Sequence, residues 1–261
     1  MNEKPIFCLT FDLEEFDLPL EYKQPIELQQ QVEISETGLQ KILPILKSGH
    51  YTFFTTAVFA QCKSELVREL AQSHEIASHN FSHSQNASGD YQRSKKVLEE
   101  ISGQKILGFR MPRMMSVNLQ SLTAAGYLYD ASAHPTFMPG RYNHLRAPKT
   151  IHNKENLIIV PATVTPIFRF PLFWLSFKNL PFDWYLKLVE NCLKKYGYVV
   201  LYLHPWEFSN LSSHHLPRYI VGKKGKMESR LQKMIKYFDG KVRWETIKTL
   251  LQEKNELPRN P

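Results

Sequence analysis

His79 and His83 lie four residues apart in His79-Asn80-Phe81-Ser82-His83, a spacing that one helical turn would place on a single face. Imidazole is the commonest metal ligand, and two imidazoles with one carboxylate leave positions open on a divalent ion for water and substrate. The chain offers such a carboxylate where Asp12, Glu14 and Glu15 follow the apolar run Ile6–Phe11. Residues i and i+2 of extended backbone share a face, so Asp12 and Glu14 can enter one pocket, one to bind metal and the other to take a proton. His204 follows Tyr198–Leu203 and has the chemistry of a general acid. Arg110 follows Lys105–Phe109, and Asp130 comes at the end of Tyr127–Tyr129. Singly, each has an ordinary explanation: a chance histidine pair, a solvated strand end, a surface cation, a turn cap. Together they place ionisable groups at the ends of five short apolar runs.

The elements that would carry these groups alternate. Short apolar runs at Ile6–Phe11, Tyr51–Ala57, Glu75–Ser78, Lys105–Phe109, Tyr127–Tyr129, Leu157–Val160, Tyr198–Leu203 and Val242–Trp244 read as strands. Helical patterns cover Glu36–Lys47, Ser64–Ala71, Asp90–Ser102, Val117–Ala125, Asp183–Lys195, Lys226–Tyr237 and Glu245–Gln252. Ser116 is placed to N-cap the fourth of these, and Gly103, Gly126 and Gly197 sit where C-caps belong. Repeated β-then-α units argue for a parallel sheet covered by helices, and at 261 residues for a barrel in one domain. All C-terminal strand ends of such a barrel face one side, where barrel enzymes place their chemistry.

Composition limits the alternatives. With 43% hydrophobic and 22% charged residues, the chain is neither disordered nor a disulfide-stapled miniprotein. Three widely spaced cysteines without a C-x-x-C, and no recognisable signal peptide, point to the cytoplasm. Residues 1–177 hold 17 charges of each sign, whereas 178–261 hold 16 basic and 8 acidic residues. That excess is either a set of solvated helix faces or an anion-attracting surface. No helix-turn-helix, RNP or zinc-finger spacing is present, which argues against nucleic acid. Leu157–Phe177 is the longest apolar stretch, but Pro161, Pro166, Arg169 and Pro171 interrupt it. It reads as a buried strand with its crossover or, with the basic third that follows, as an interfacial patch for an anionic membrane at its cytosolic face.

The order of these motifs resembles the polysaccharide deacetylase family, also called the NodB-homology or carbohydrate esterase family 4 group. Thr10-Phe11-Asp12-Leu13-Glu14 is similar to the family's T-F-D-D-G, and the histidine segment to its H-[ST]-x-x-H, here preceded by Glu75-Ile76-Ala77-Ser78. Arg110-Met111-Pro112 matches R-x-P, Tyr129-Asp130-Ala131-Ser132 looks like the Asp-centred motif, and Leu203-His204 matches the last motif. Tyr51-Thr52-Phe53-Phe54 resembles the family's A-T-F-F strand, so the likeness spans about residues 5–250. It implies a distorted (β/α) barrel of seven to eight parallel strands, a divalent metal, and removal of an N- or O-acetyl group from a sugar or polysaccharide precursor. By the same resemblance Asp12 would be the base, held ionised and oriented by Arg110. His79 and His83 would be metal ligands, and His204 the acid with Asp130 as its partner. The family's second aspartate is Leu13 here, so Glu14 becomes the replacement ligand, as in the family's T-F-D-x-E/H-P-W-E branch, with Glu15 in reserve. Mixed histidine and carboxylate ligation suits zinc, with cobalt or nickel able to substitute. Two other readings stay open: a deformylase or amidohydrolase acting on a lipid-linked sugar or small cyclic amide, and a catalytically dead carbohydrate-binding protein, which the loss at Leu13 would favour.

Overall fold

Alternation along the first strand organises the molecule. β1 (Ile6–Leu13) is buried throughout, and its side chains divide between two cores. Phe7, Leu9, Phe11 and Leu13 pack outward beneath the helices, while Ile6 and Cys8 join an inner cluster with Phe54, Ala77, Tyr129, Ile158 and Val200. Strands buried on both faces read as continuous apolar runs, which is why IFCLTFDL carries so little visible alternation. The computed structural model describes residues 4–46, 49–222 and 225–258.

The other strands are β2 (Thr52–Thr55), β3 (Glu75–Ser78), β4 (Gly108–Phe109), β5 (Tyr129–Asp130), β6 (Phe137–Met138), β7 (Tyr142–Asn143), β8 (His152–Lys154), β9 (Leu157–Ile159), β10 (Tyr198–Leu203) and β11 (Arg243–Trp244). The main sheet runs β10-β1-β2-β3-β4-β5-β9-β8, with β11 beside the start of β1. All its pairings are parallel except β8 with β9. The sheet curls until the chain beyond β9 meets β10: Thr163 N donates to the Val200 carbonyl at 2.9 Å, and Val200 N to the Thr163 hydroxyl at 2.8 Å. The helix Ile247–Glu253 closes the inner core with Ile247, Leu250 and Leu251. This is the distorted barrel expected, with an antiparallel edge strand and the small β6–β7 hairpin added to it.

Two local expectations need correction. Asn118, not Ser116, caps the helix Leu119–Ala124, its side chain accepting from Ser121 N. The helix expected over 36–47 spans Leu28–Ile42, and Lys47 lies outside the described residues. Gly38 suggests a weak helix interior, yet the fold needs glycine there. A Cβ on Gly38 would lie 1.8 Å from the carbonyl oxygen of Pro205, the residue after His204. No helix among the described residues is long and apolar enough to cross a membrane.

Helix propensity favours Gly38→Ala, but the contact with Pro205 opposes it and wins. Gly38→Ala is expected to lower stability by about 2 kcal/mol in chemical denaturation. Unchanged or raised stability would show that the two segments are free to separate.

Candidate active site

Five strand ends deliver their polar groups to one side of the barrel. Asp12 and Glu14 continue the inward series of β1, His79 follows β3, Arg110 follows β4, Asp130 ends β5 and His204 follows β10. The chain does not bring His79 and His83 together by a helical turn, as expected, but by a loop in which Asn80 is left-handed, φ 67°. Asparagine tolerates that conformation better than the serine or threonine of the family motif. The Asn80 side chain donates to the Gln85 carbonyl at 3.2 Å, and its own carbonyl accepts from Ala57 N and the Ser94 hydroxyl.

The result is a compact donor set. Ligand atoms of Glu14, His79 and His83 lie within 4.8 Å of one another. Glu14 Oε2 is 2.9 Å from His79 Nε2 and 3.1 Å from His83 Nε2. The far ring nitrogens are occupied: His79 Nδ1 donates to the Arg110 carbonyl at 2.8 Å, and His83 Nδ1 faces the Asp17 carboxylate at 2.8 Å. Both rings therefore keep Nε2 for whatever Glu14 shares, the arrangement that orients metal-bound histidines. Trp206 Nε1 donates to the other Glu14 oxygen at 3.0 Å. Burial pushes the Glu14 carboxyl up, but the imidazoles of His83, His204 and His79 hold it well below the usual carboxylate range. Burial lowers the pKa of His83, and the carboxylates of Glu14 and Asp17 more than reverse this. The residues present fit a divalent cation. Glu15 does not join them: it accepts from the Thr56 hydroxyl, and burial raises its pKa.

Arg110 is fully buried inside the barrel, its guanidinium 3.9 Å from the centroid of the Phe54 ring. Its Nη1 donates to Asp12 Oδ1 at 2.6 Å and to the Thr10 hydroxyl at 2.8 Å, fixing the carboxylate beside the donor set. His204 Nε2 lies 3.8 Å from Asp12 Oδ2. Its ring stacks on Trp206 and meets Trp174 edge-on.

The partner of His204 differs from expectation. Nδ1 of His204 faces Glu207 Oε1 at 3.0 Å, and the His204 backbone N–H donates to the same oxygen. Asp130 instead accepts from the hydroxyl and backbone N–H of Ser132, and burial raises its carboxyl to about 6. Ser132 in turn accepts from Met111 N, so Asp130 braces the backbone behind Arg110. Glu207 was legible only as part of the Pro205-Trp206-Glu207 sequence. Asp17 and Arg113 carried no signal in the sequence: Arg113 sits in left-handed backbone, φ 57°, and binds Asp17 at 2.9 Å and Glu21 at 2.6 Å. Lys178, also missed, is buried with Nζ 3.3 Å from Glu207 Oε2. A cleft of about 310 Å³ opens above these groups, walled by Phe16, Trp174, Tyr202, Trp206 and Tyr219.

Residues 2–128 match the family model described as polysaccharide deacetylase. That span, just under half of the chain, is similar to the family. The matched span holds Asp12, Glu14, His79, His83 and Arg110. Among solved structures the fold is similar to a probable polysaccharide deacetylase from Pseudomonas aeruginosa PAO1, at 14% identity over 97% of this chain and 92% of that one, TM-score 0.66. It is similar to the PuuE allantoinase at 14% identity over 97% and 91%, TM-score 0.65. A CE4 family pseudoenzyme from Bacillus anthracis aligns at 15% identity over 97% and 66%, TM-score 0.55. A search of curated proteins finds no match.

The departure of Leu13 from the polysaccharide deacetylase pattern has a structural reason. Leu13 packs in the outer core, and the inward series of β1 passes from Asp12 to Glu14. Glu14, one residue beyond Leu13, reaches both histidines.

Burial lowers the pKa of His204, but Glu14, Glu207 and Asp12 raise it above the ordinary histidine value, so its imidazolium persists above about pH 6.5. Glu207→Gln withdraws one of those charges and favours the neutral ring. The alkaline limb of the kcat/KM profile is expected to move down by about one pH unit. An unmoved or raised limb would separate Glu207 from His204.

Proposed function

We propose that the chain is a metal-dependent hydrolase that removes an acetyl group from the nitrogen, or the oxygen, of a sugar or polysaccharide precursor. The observation that carries the reading is the convergence of Glu14 Oε2 on His79 Nε2 and His83 Nε2 at 2.9 and 3.1 Å. A divalent ion held by these three residues would supply Lewis acidity and a lowered pKa for water. Zinc suits three mixed ligands with a position left open, and cobalt or nickel could take its place.

The remaining chemistry belongs to the chain's own groups. Asp12, held at Oδ1 by Arg110, presents Oδ2 to the cleft and takes a proton from the attacking water. The water oxygen bonds to the acetyl carbon, and the bond from that carbon to the sugar nitrogen then breaks. His204, protonated at Nε2 and backed by Glu207 at Nδ1, gives its proton to the departing nitrogen. Acetate and a free amine leave, and the proton on Asp12 passes to solvent or back to His204. The aromatic walls exclude water and offer flat faces to a sugar ring. We place the reaction in a reducing compartment, a reading that the free cysteines Cys8, Cys62 and Cys192 support. The approach of Glu14 to both histidines supports an active enzyme over a catalytically dead barrel.

Release of acetate from acetylated amino-sugar oligomers by zinc-loaded protein tests the reading. Asp12→Asn and His204→Ala are each expected to cost about 10²–10⁴-fold in kcat while the metal is retained. Near-normal turnover in either variant would remove that residue from the mechanism, and absence of acetate from every acetylated sugar tried would defeat the deacetylase reading.

A further inference from the structure

The apolar stretch around residue 168 does not end buried. Ile167 and Phe168 form the tip of a turn and are 82% and 87% exposed, the most exposed large apolar side chains among the described residues. The turn is firmly braced. Thr165 N donates to the Phe170 carbonyl and Phe170 N to the Thr165 hydroxyl, both at 2.9 Å. Arg169, left-handed at φ 50°, reaches back to the carbonyls of Pro135 and Ala147, and Lys149 Nζ donates to the Pro166 carbonyl at 2.5 Å. Loop tips usually carry polar residues, so a stiff turn holding isoleucine and phenylalanine in water has to be explained by what it meets.

Beneath the tip runs an apolar groove of about 660 Å³, with Phe137, Leu145, Phe168, Phe170 and Leu180 among its walls. It adjoins the active-site cleft, with Met138, Phe173, Leu175 and Tyr219 lining both. Phe137, Leu145 and Tyr219 are themselves 52%, 44% and 52% exposed.

The charge around this surface is mainly basic. Of the six basic residues in 131–181, Lys154 sits beside Glu155 at the β8–β9 turn and Lys178 is buried against Glu207, which leaves Arg141, Arg146, Lys149 and Arg169 near the groove and cleft, while Asp183 beyond it is paired with Lys233. None of the described residues lining the groove is acidic. Arg146 and Arg218 are exposed and adjoin the lining residues Leu145 and Tyr219. The carboxylates at the rim of the adjoining cleft, Asp17 and Glu21, are already paired, Asp17 with Arg113 and Glu21 with Arg113 and Arg141.

We infer that the Ile167–Phe168 turn and the groove beneath it form a docking surface for an anionic phospholipid bilayer, which sets the active-site cleft at the membrane surface. An apolar tip enters the acyl boundary while the surrounding arginines meet phosphate headgroups, the pairing that binds peripheral proteins to membranes. The occupant is argued from charge: no acidic side chain among the described residues lines the groove, and the exposed Arg146 and Arg218 beside it suit a continuous surface of phosphates. The inference rests on the deacetylase reading only for what docking accomplishes. Vesicle binding is measured without substrate or metal, so failure of one can be told from failure of the other.

The test is flotation of the full chain with phosphatidylcholine vesicles carrying about 30% phosphatidylglycerol, at low and at high salt. The native protein is expected to float at low salt and to be released at high salt. The double variant Ile167→Ser/Phe168→Ser is expected to bind at least about tenfold more weakly. Arg146→Glu/Arg218→Glu, an independent pair, is expected to abolish the preference for anionic vesicles. Both pairs lie on the surface, and an unchanged thermal melt confirms that each variant is folded. No flotation of the native protein at low salt would overturn the inference, as would equal flotation of the serine variant. A native dimer that the serine substitutions dissociate would assign the tip to a second copy of the chain and overturn it as well.

Discussion

A buried carboxylate must find partners, and the position of Glu14 sets the terms for the rest of the site. Left alone beneath the surface, an ionised glutamate would be strongly disfavoured or would neutralise itself by taking a proton. Here it meets imidazoles from the loop after β3 on one oxygen and the Trp206 indole on the other, with His204 at 4.0 Å. Two distant parts of the chain thus converge on a single group in a third. Each imidazole is held at its far nitrogen by something else: the Arg110 carbonyl, Asp17, or Glu207. The outer ring of partners fixes which nitrogen faces inward, and the negative charge of Glu14 favours a cation among them.

The barrel makes this convergence possible. Parallel pairing puts every strand's C-terminal end on one side, and the inward series of β1 carries Thr10, Asp12 and Glu14 toward the same mouth. Arg110 crosses the interior to Thr10 and Asp12 and is paired and stacked on Phe54, which makes a fully buried cation tolerable. Gly38 allows the helix Leu28–Ile42 to approach the segment after His204, so His204 is positioned by packing as well as by hydrogen bonds.

Much of this was legible in the sequence because strand ends and motif order are local properties. Each of the eight short apolar runs overlaps a strand, by as little as one residue at Tyr129, since such runs bounded by polar residues have few other uses in a helix-covered sheet. Asp12, Glu14, His79, His83, Arg110 and His204 came together as their positions implied. What the sequence concealed depended on tertiary approach. Glu207 partners His204 because the 3₁₀ turn Pro205–Phe208 folds it back, whereas Asp130 is turned toward Ser132. Asp17 reaches His83 across 66 residues of chain, and no local pattern encodes such a contact. The reason for glycine at position 38 lies 167 residues away, at Pro205.

The central claim is that Glu14, and not Glu15, completes a metal site with His79 and His83. Elemental analysis of untagged protein after incubation with zinc, cobalt or nickel and removal of free ions measures this directly. About one divalent ion per chain is expected in the native protein and in Glu15→Gln, and it should be lost in Glu14→Gln. Full occupancy in Glu14→Gln, or no bound ion in the native chain with any of the three metals, would contradict the account.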